Sequence, residues 1–526
     1  MKSVADIVLQ GAERFGPRQA LADPAGTVTY AQLGTEASQL ARALRALGLM
    51  PGQRSLLVLP NSVAFVRAHF ANLVAGLVSV PCDAGVTAET LAALAASCAP
   101  QCLLTDRASY ARLTGGVALP ASIRHVVLMD GSSAGAETDC SQVWSAADLM
   151  SAQPAELYRE PQDPAALAAL MYTTGTTGRP KGVPLTHVNI LSALRSIVDF
   201  VGYTPEDREV VILPLSHNFG LGHVYCNLMS GGAVYTEPGL ARVGRVLKAV
   251  ESFRATGFPG TPLGFGMLLD QYGPVLAQKG RSLRFSVINS APLPPERAAQ
   301  LQALLPQLDI MVYYGLTEAS RTAFISLTRS GPGSYRSVGR PMPHVEVQVR
   351  PPGEPAALPV GETGEIVIRG PAVPAGYWEN AEETNTAFRA GWLHTGDLGH
   401  LDANGQLWIT GRIKDVINVG GYKVNPAEVE KVLLEYPGVV DVGVVGVEGV
   451  GGLTSENVVA ALVGGEGFAP DDTALQAHCA VRLEKYKVPV RFITVAEIPR
   501  SNTGKIKRAE LARQVAGHLA APSPTP

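Results

Sequence analysis

The chain has 526 residues, 46% of them hydrophobic and only 17% charged, so it can bury a large core, should divide into two or more domains, and is not disordered over most of its length. Lys and Arg number 43 against 46 Asp and Glu, a formal charge of −3, which supplies no global field for polyanions and argues against a nucleic-acid partner. The six cysteines (Cys82, Cys98, Cys102, Cys140, Cys226 and Cys479) are scattered, without the paired spacing of a zinc site, the pattern of reduced thiols in a cytoplasmic protein.

Taken in chain order, residues 1–15 mix Asp6, Glu13 and Arg14 into apolar spacing of helical period, unlike the continuous apolar run of a signal peptide. Residues 55–59 and 77–80 read as strands and 91–96 as part of a helix. The apolar stretch 65–80 contains Arg67 and His69, so a buried helix is expected there and membrane insertion is not. Glycines and prolines punctuate short Val/Ile/Leu runs and Ala/Leu-rich stretches, the texture of a layered α/β protein.

After the apolar run 165–170 comes Met171-Tyr-Thr-Thr-Gly-Thr-Thr-Gly-Arg-Pro-Lys-Gly182. Gly175, Gly178 and Gly182 let backbone N–H groups approach a ligand closely, Thr173, Thr174, Thr176 and Thr177 offer hydroxyls, and Lys181 adds a positive charge, a combination suited to an oligophosphate. No Gly-Lys-Ser/Thr triplet occurs here, so this is not the common nucleotide-binding P-loop.

Further motifs follow: Pro214-Leu-Ser-His-Asn-Phe-Gly-Leu-Gly222; Asn289-Ser-Ala-Pro-Leu293; Tyr313-Tyr-Gly-Leu-Thr-Glu-Ala-Ser320; Gly391-Trp-Leu-His-Thr-Gly-Asp-Leu398; Gly411-Arg-Ile-Lys-Asp415; and Gly420-Gly-Tyr-Lys-Val-Asn425. Residues 391–411 carry Gly/Asp/Asn punctuation typical of hairpins, and a new βα pattern begins after Asp415, with helices expected over 426–435 and 472–484 and strands over 439–447 and 458–463. The last motif is Pro499-Arg-Ser-Asn-Thr-Gly-Lys-Ile-Lys507, where Lys507 and the following Arg508 read as surface charges. The Pro-rich tail 520–526 is expected to fray.

Joined in this order over nearly the whole chain, these segments resemble the adenylate-forming superfamily, which includes acyl-CoA synthetases, peptide-synthetase adenylation domains and firefly luciferase. The resemblance implies an α/β fold: a large N-terminal domain of layered mixed sheets and helices over 1–413, and a small mobile α+β domain over 414–526. It also implies ATP-dependent activation of a small carboxylic acid as acyl-AMP, release of pyrophosphate, and transfer of the acyl group to the thiol of CoA. Loading of an acyl carrier protein's phosphopantetheine, and an inactive nucleotide-binding regulator, are the alternatives.

By the same resemblance, Lys505 is the catalytic lysine and His217 lies near the acid's carboxylate. Thr317 bonds the α-phosphate, and Glu318 coordinates Mg²⁺, since a carboxylate beside a triphosphate calls for a hard cation with oxygen ligands. Tyr314 stacks on adenine, with Tyr313, Gly315, Ser290, Ala291, Pro292 and Ile409 around the nucleotide; Asp397 accepts from both ribose hydroxyls and Arg412 reaches the ribose. Lys414 is the hinge, and Gly420 and Gly421 line the thiol tunnel.

The family more often has Ser at Thr174 and Gly at Asn289 and Ser290. Relatives that activate amino acids place an aspartate where Asn218 stands, so a free α-amino acid is not expected. Arg321 falls where the family's pocket floor is apolar or small. Exposure or an internal ion pair is expected for it; pointed inward, it would imply a polar or anionic group on the substrate.

Overall fold

The computed structural model describes residues 1–115, 118–131, 142–174, 180–419, 422–448, 456–465, 467–501 and 504–520. Its largest sheet has seven strands in the order Gln142–Ser145, His125–Leu128, Cys102–Thr105, Arg54–Val58, Val78–Cys82, Leu167–Thr174, Pro180–Thr186. All neighbours run parallel except the last pair, which is antiparallel with Thr173 opposite Lys181. Central strands such as Arg54–Val58 and Val78–Cys82 are almost wholly buried because helices cover both faces, which is why they read as continuous apolar runs.

The helix expected over 65–80 is only Val63–Val74. The Ser62 hydroxyl accepts from Phe65 N at its start, and Gly76 turns at φ +74, a conformation glycine adopts without steric cost. The remaining residues become the strand Val78–Cys82. Burial holds: Arg67 pairs with Glu36 at 2.7 Å and His69 is fully buried against Ser79 and Tyr225. Among the described residues no helix is long and apolar enough to cross a membrane.

Two four-stranded sheets complete the central layer: Arg208–Val211, Ala233–Thr236, Gln19–Asp23, Gly26–Thr29, and Phe285–Ile288, Asp309–Tyr314, Ala323–Ser326, Arg340–Pro341. They are joined through bridges at Gly257 and Gly260, where a side chain would strike Phe285 and Phe265. An antiparallel sheet follows, built on Glu346–Arg350, Gly364–Arg369, Trp392–Leu401, Phe388–Arg389 and Leu407–Arg412. The hairpin texture of 391–411 thus resolves into the pair Trp392–Leu401 and Leu407–Arg412.

From residue 417 on, the chain forms a smaller domain. A short hairpin, Ile417–Val419 and Tyr422–Val424, precedes the sheet Val439–Glu448, Glu456–Gly464, Arg491–Thr494. Along Glu456–Gly464, Val458, Ala460 and Leu462 face one apolar cluster, with Val429, Leu433, Leu475 and Phe492. Val459 and Ala461 face another, with Ile498, Leu511 and Val515; the period of two puts alternate side chains on opposite faces. Helices cover both faces: Pro426–Leu434, Asp472–Ala480 and Arg508–Ala520. The helix expected over 472–484 stops at Ala480, because Arg482 N bonds the Cys479 carbonyl and tightens the last turn. The tail 521–526 lies outside the described residues.

Candidate functional site

The strand Asp309–Tyr314 ends in a tight turn closed by reciprocal backbone bonds between Leu316 and Ala319. Gly315 has no room for a side chain, since a Cβ would meet the backbone of Arg321 and Ala319. That turn presents Thr317 and Glu318, both half-buried. Asp397 and Arg412 are opposite one another in the antiparallel pair, so residues fifteen apart in sequence become cross-strand neighbours. Arg412 Nε donates to Asp397 Oδ1 at 2.6 Å, and the Tyr314 hydroxyl donates to Oδ2 at 2.6 Å. Asp397 is buried, and Ile409 packs against the Tyr314 cluster. Burial first, then the charge of Asp397, pushes the Tyr314 phenol well up, so it stays protonated and donating.

Two contacts involve residues outside every sequence motif. Tyr377 donates from its hydroxyl to Glu318 Oε1 at 2.8 Å, and Glu383 pairs with Lys181 at 2.7 Å. Lys181 also stands 5.6 Å above the Tyr377 ring, within cation–π reach. Burial, followed by the Glu318 charge, pushes the Tyr377 phenol up. The segment is seated by Trp378 N on the Gly182 carbonyl at 2.9 Å. The signal available in the sequence was Gly376-Tyr-Trp378 followed by an acidic run, which names no partner.

Ser290 follows the strand Phe285–Ile288 at φ +88, a left-handed conformation that favours the family's glycine; Ala291 is half-buried and Pro292 exposed beside it. Tyr313 is buried, stacked on Phe324 at 5.3 Å and edge-on to Phe219 at 5.4 Å. His217 is the N-cap of the helix Asn218–Ser230 and opens to solvent. Loss of water around its imidazole lowers its pKa, against the pull of Asp83, so it is neutral at neutral pH. The Thr174 side chain, Gly175, Thr176, Thr177, Gly178, Gly420 and Gly421 lie outside the described residues; Thr173 is half-buried at the strand end entering the loop.

Behind Asn218 lies a cavity of about 30 Å³, lined among others by Ala169, Ile190, Leu221, Gly222, Tyr225 and Ser320. Arg321 corrects the expectation made for it: the residue is 5% exposed and makes no ion pair among the described residues. Its guanidinium donates to Ser320 Oγ at 3.0 Å and to the carbonyls of Asn218 and Phe219 at 3.2 Å, over the Tyr313 ring at 5.3 Å.

Lys505 comes from the small domain. Beside it, Ser501 N bonds the Lys505 carbonyl at 2.8 Å and Arg500 bonds both Gly504 O and Asp441. Gly504 meets the large domain, since a Cβ there would stand 3.6 Å from Leu263 Cβ. The Lys505 ammonium is lowered by desolvation first and by Arg412 and Lys414, while Asp397 and Glu318 oppose the shift, although the residue as a whole is exposed. Lys505 thus lies within electrostatic reach of Arg412, Lys414, Asp397 and Glu318. Lys414 sits exposed in the short turn Ile413–Asp415. Lys507 is the expected surface charge, but Arg508 is not: it bridges Glu430 at 2.5 Å and Asp415 at 3.3 Å, tying the turn to the last helix. No cluster of three metal-binding side chains occurs among the described residues.

The family model of the AMP-binding enzymes matches residues 9–378, and that of the AMP-binding enzyme C-terminal domain matches 428–505. The chain is 32% identical to an oxalate–CoA ligase of Arabidopsis thaliana over 513 residues, covering 95% of this chain and 96% of the relative. It is 33% identical to a feruloyl-CoA synthase of an Amycolatopsis species over 505 residues, covering 95% and 97%. Among solved structures, ATP-bound MatB from Rhodopseudomonas palustris superposes with a TM-score of 0.85 at 27% identity, covering 97% and 98% of the two chains. With both family models matching it in order and relatives of this identity over almost its whole length, the chain belongs to the AMP-binding enzymes, the adenylate-forming superfamily of acyl-CoA synthetases.

Proposed function

We propose that this protein is an AMP-forming acid–thiol ligase that activates a small carboxylic acid with ATP and passes the acyl group to CoA. The observation that carries the reading is that the Lys505 loop of the small domain meets the large one at Leu263, within electrostatic reach of Asp397, Glu318 and Arg412. A carboxylate cannot lose oxide, so the acid first attacks the α-phosphate and becomes a mixed anhydride, with pyrophosphate leaving. Both reactants are anions, so acceleration comes from fixed cations and donors around the phosphorus.

In this reading Lys505 and Thr317 stabilise the α-phosphate, and Lys181 with the loop from Thr173 to Gly178 holds the β- and γ-phosphates. Tyr313, Tyr314, Gly315, Ser290, Ala291, Pro292 and Ile409 enclose adenine, while Asp397 and Arg412 hold the ribose. Tyr314 and Arg412 each use one oxygen of Asp397, and each carboxylate oxygen can accept again. His217, neutral, orients the acid. Glu318 is an oxygen donor whose Oε1 accepts, among the described residues, only the Tyr377 hydroxyl, which suits a Mg²⁺ ion that keeps its waters and phosphate ligands. Bound there, Mg²⁺ would supply charge neutralisation. For the second step the small domain, 414–526, turns about Lys414 against 1–413 and brings Gly420 and Gly421 to the thiol. The relatives named above are CoA ligases, which favours CoA over a carrier protein. The five described cysteines are free and buried, which suits the cytoplasm.

The test is pyrophosphate release from ATP and Mg²⁺ over a panel of acids, followed by thioester detection after adding CoA. Acid-dependent pyrophosphate and acyl-CoA are expected. ATP binding with no pyrophosphate for any acid would favour the regulator instead.

A further inference from the structure

The relatives differ in the acid they are named for, so the acid must be read from this chain's own pocket. Arg321 is the feature that stands apart. Its backbone is at φ +56, a conformation that a residue with a side chain adopts at a cost. Its guanidinium is buried, where a cation needs a partner. Among the described residues every acceptor it has is neutral: Ser320 Oγ and the carbonyls of Asn218 and Phe219. A guanidinium has five N–H donors, so three bonds leave capacity for another acceptor. The buried carboxylate of Glu209 does not serve, being taken up by Tyr203, His223 and Asn227.

The fold makes room for this cation. Gly222 is packed so closely that any side chain there would collide with the guanidinium, and at Gly315 a Cβ would collide with the Arg321 backbone. Three of the residues that touch the guanidinium, Asn218, Gly222 and Ser320, also line the cavity. The charge therefore stands directly behind the wall of a space that holds only a few atoms.

Resting on the ligase reading, we propose that Arg321 selects a short acid with a second anionic group, pairing with the end of the substrate that is not activated. A bidentate guanidinium–carboxylate pair in a dry site gives both geometry and charge, and an uncharged tail of equal size would leave the cation unpaired.

The test uses three pairs in which an isopropyl group replaces one carboxylate: oxalate against 2-methylpropanoate, malonate against 3-methylbutanoate, and succinate against 4-methylpentanoate. Pyrophosphate release is measured for each with the full-length enzyme, ATP and Mg²⁺, and binding of the same acids is measured by calorimetry. In at least one pair the diacid should be preferred by about a hundredfold or more, as for sites built around a substrate's polar group. Arg321→Leu should reverse that preference, and Arg321→Lys should keep its direction. The wild-type comparison needs no variant to fold. Preference for the alkyl acid in all three pairs, by turnover or binding, overturns the proposal. Tighter diacid binding without any pyrophosphate release supports Arg321 as the anion's partner while sinking the ligase reading.

Discussion

Lys505 concentrates the proposed first step in a single ammonium. Its surroundings hold it below the usual 10.5, and the protonated form is the one that stabilises phosphate charge. The first half-reaction should therefore be lost as pH rises through that lowered value, at a lower pH than for an ordinary lysine; Lys505→Arg, charged throughout, should lose this alkaline limb in a pH profile of pyrophosphate release. Lys505→Ala should slow adenylation by about a hundredfold to a thousandfold and leave thioester formation from a supplied acyl-adenylate largely intact; equal loss of both half-reactions would refute the assignment. The motifs that carry Lys505, Glu318 and Asp397 were legible because each is short and its spacing is local. Arg321 was visible as an oddity, but its burial depends on Gly222 and on the carbonyls of Asn218 and Phe219, about a hundred residues away in the chain, and the expectation of exposure or an ion pair failed for that reason.

At the scale of elements, one segment engages two of the motif residues: Tyr377 occupies Glu318 and Glu383, in the first turn of the helix Ala381–Ala387, occupies Lys181. A triphosphate must compete with Glu383 for Lys181. Glu383→Gln should lower the KM for ATP a few-fold with little change in kcat, and cost up to about 1 kcal/mol of stability for the partly exposed pair, measurable by initial rates and denaturant unfolding. An unchanged KM would show that the pair does not oppose nucleotide. These contacts were illegible in the sequence, since a hydrogen bond between residues 59 apart leaves no periodicity. Strands 55–59 and 77–80 were legible because two covered faces demand unbroken apolar runs, whereas the end of the buried helix before 77–80 was not, because Gly76 alone marks it.

At the scale of the whole molecule, the cleft exists only while the Lys505 loop meets the helix Pro262–Lys279. A Cβ at position 504 would stand 3.6 Å from that of Leu263, within disulfide range. In a Leu263→Cys/Gly504→Cys protein, oxidation should block acyl transfer to CoA while sparing pyrophosphate release, with reductant restoring transfer. Gly504 stands at φ +84, so cysteine there is strained by about 1 kcal/mol, and oxidised and reduced forms of the same protein are compared. The native described cysteines are buried and free, and should not interfere. Transfer at full rate when oxidised would dispose of the domain rotation.

The amino-acid order by itself determined the family, its motifs and the α/β layering, because glycine spacing, strand runs and charged motif residues act over a few positions. Tertiary structure alone decided which charges meet: that Tyr377 and Glu383 cover the site, that Arg508 braces Asp415, and that Arg321 is buried without a counter-ion among the described residues. Burial and ion pairing depend on distances in space, and only the folded chain brings residues far apart in sequence to within a hydrogen bond.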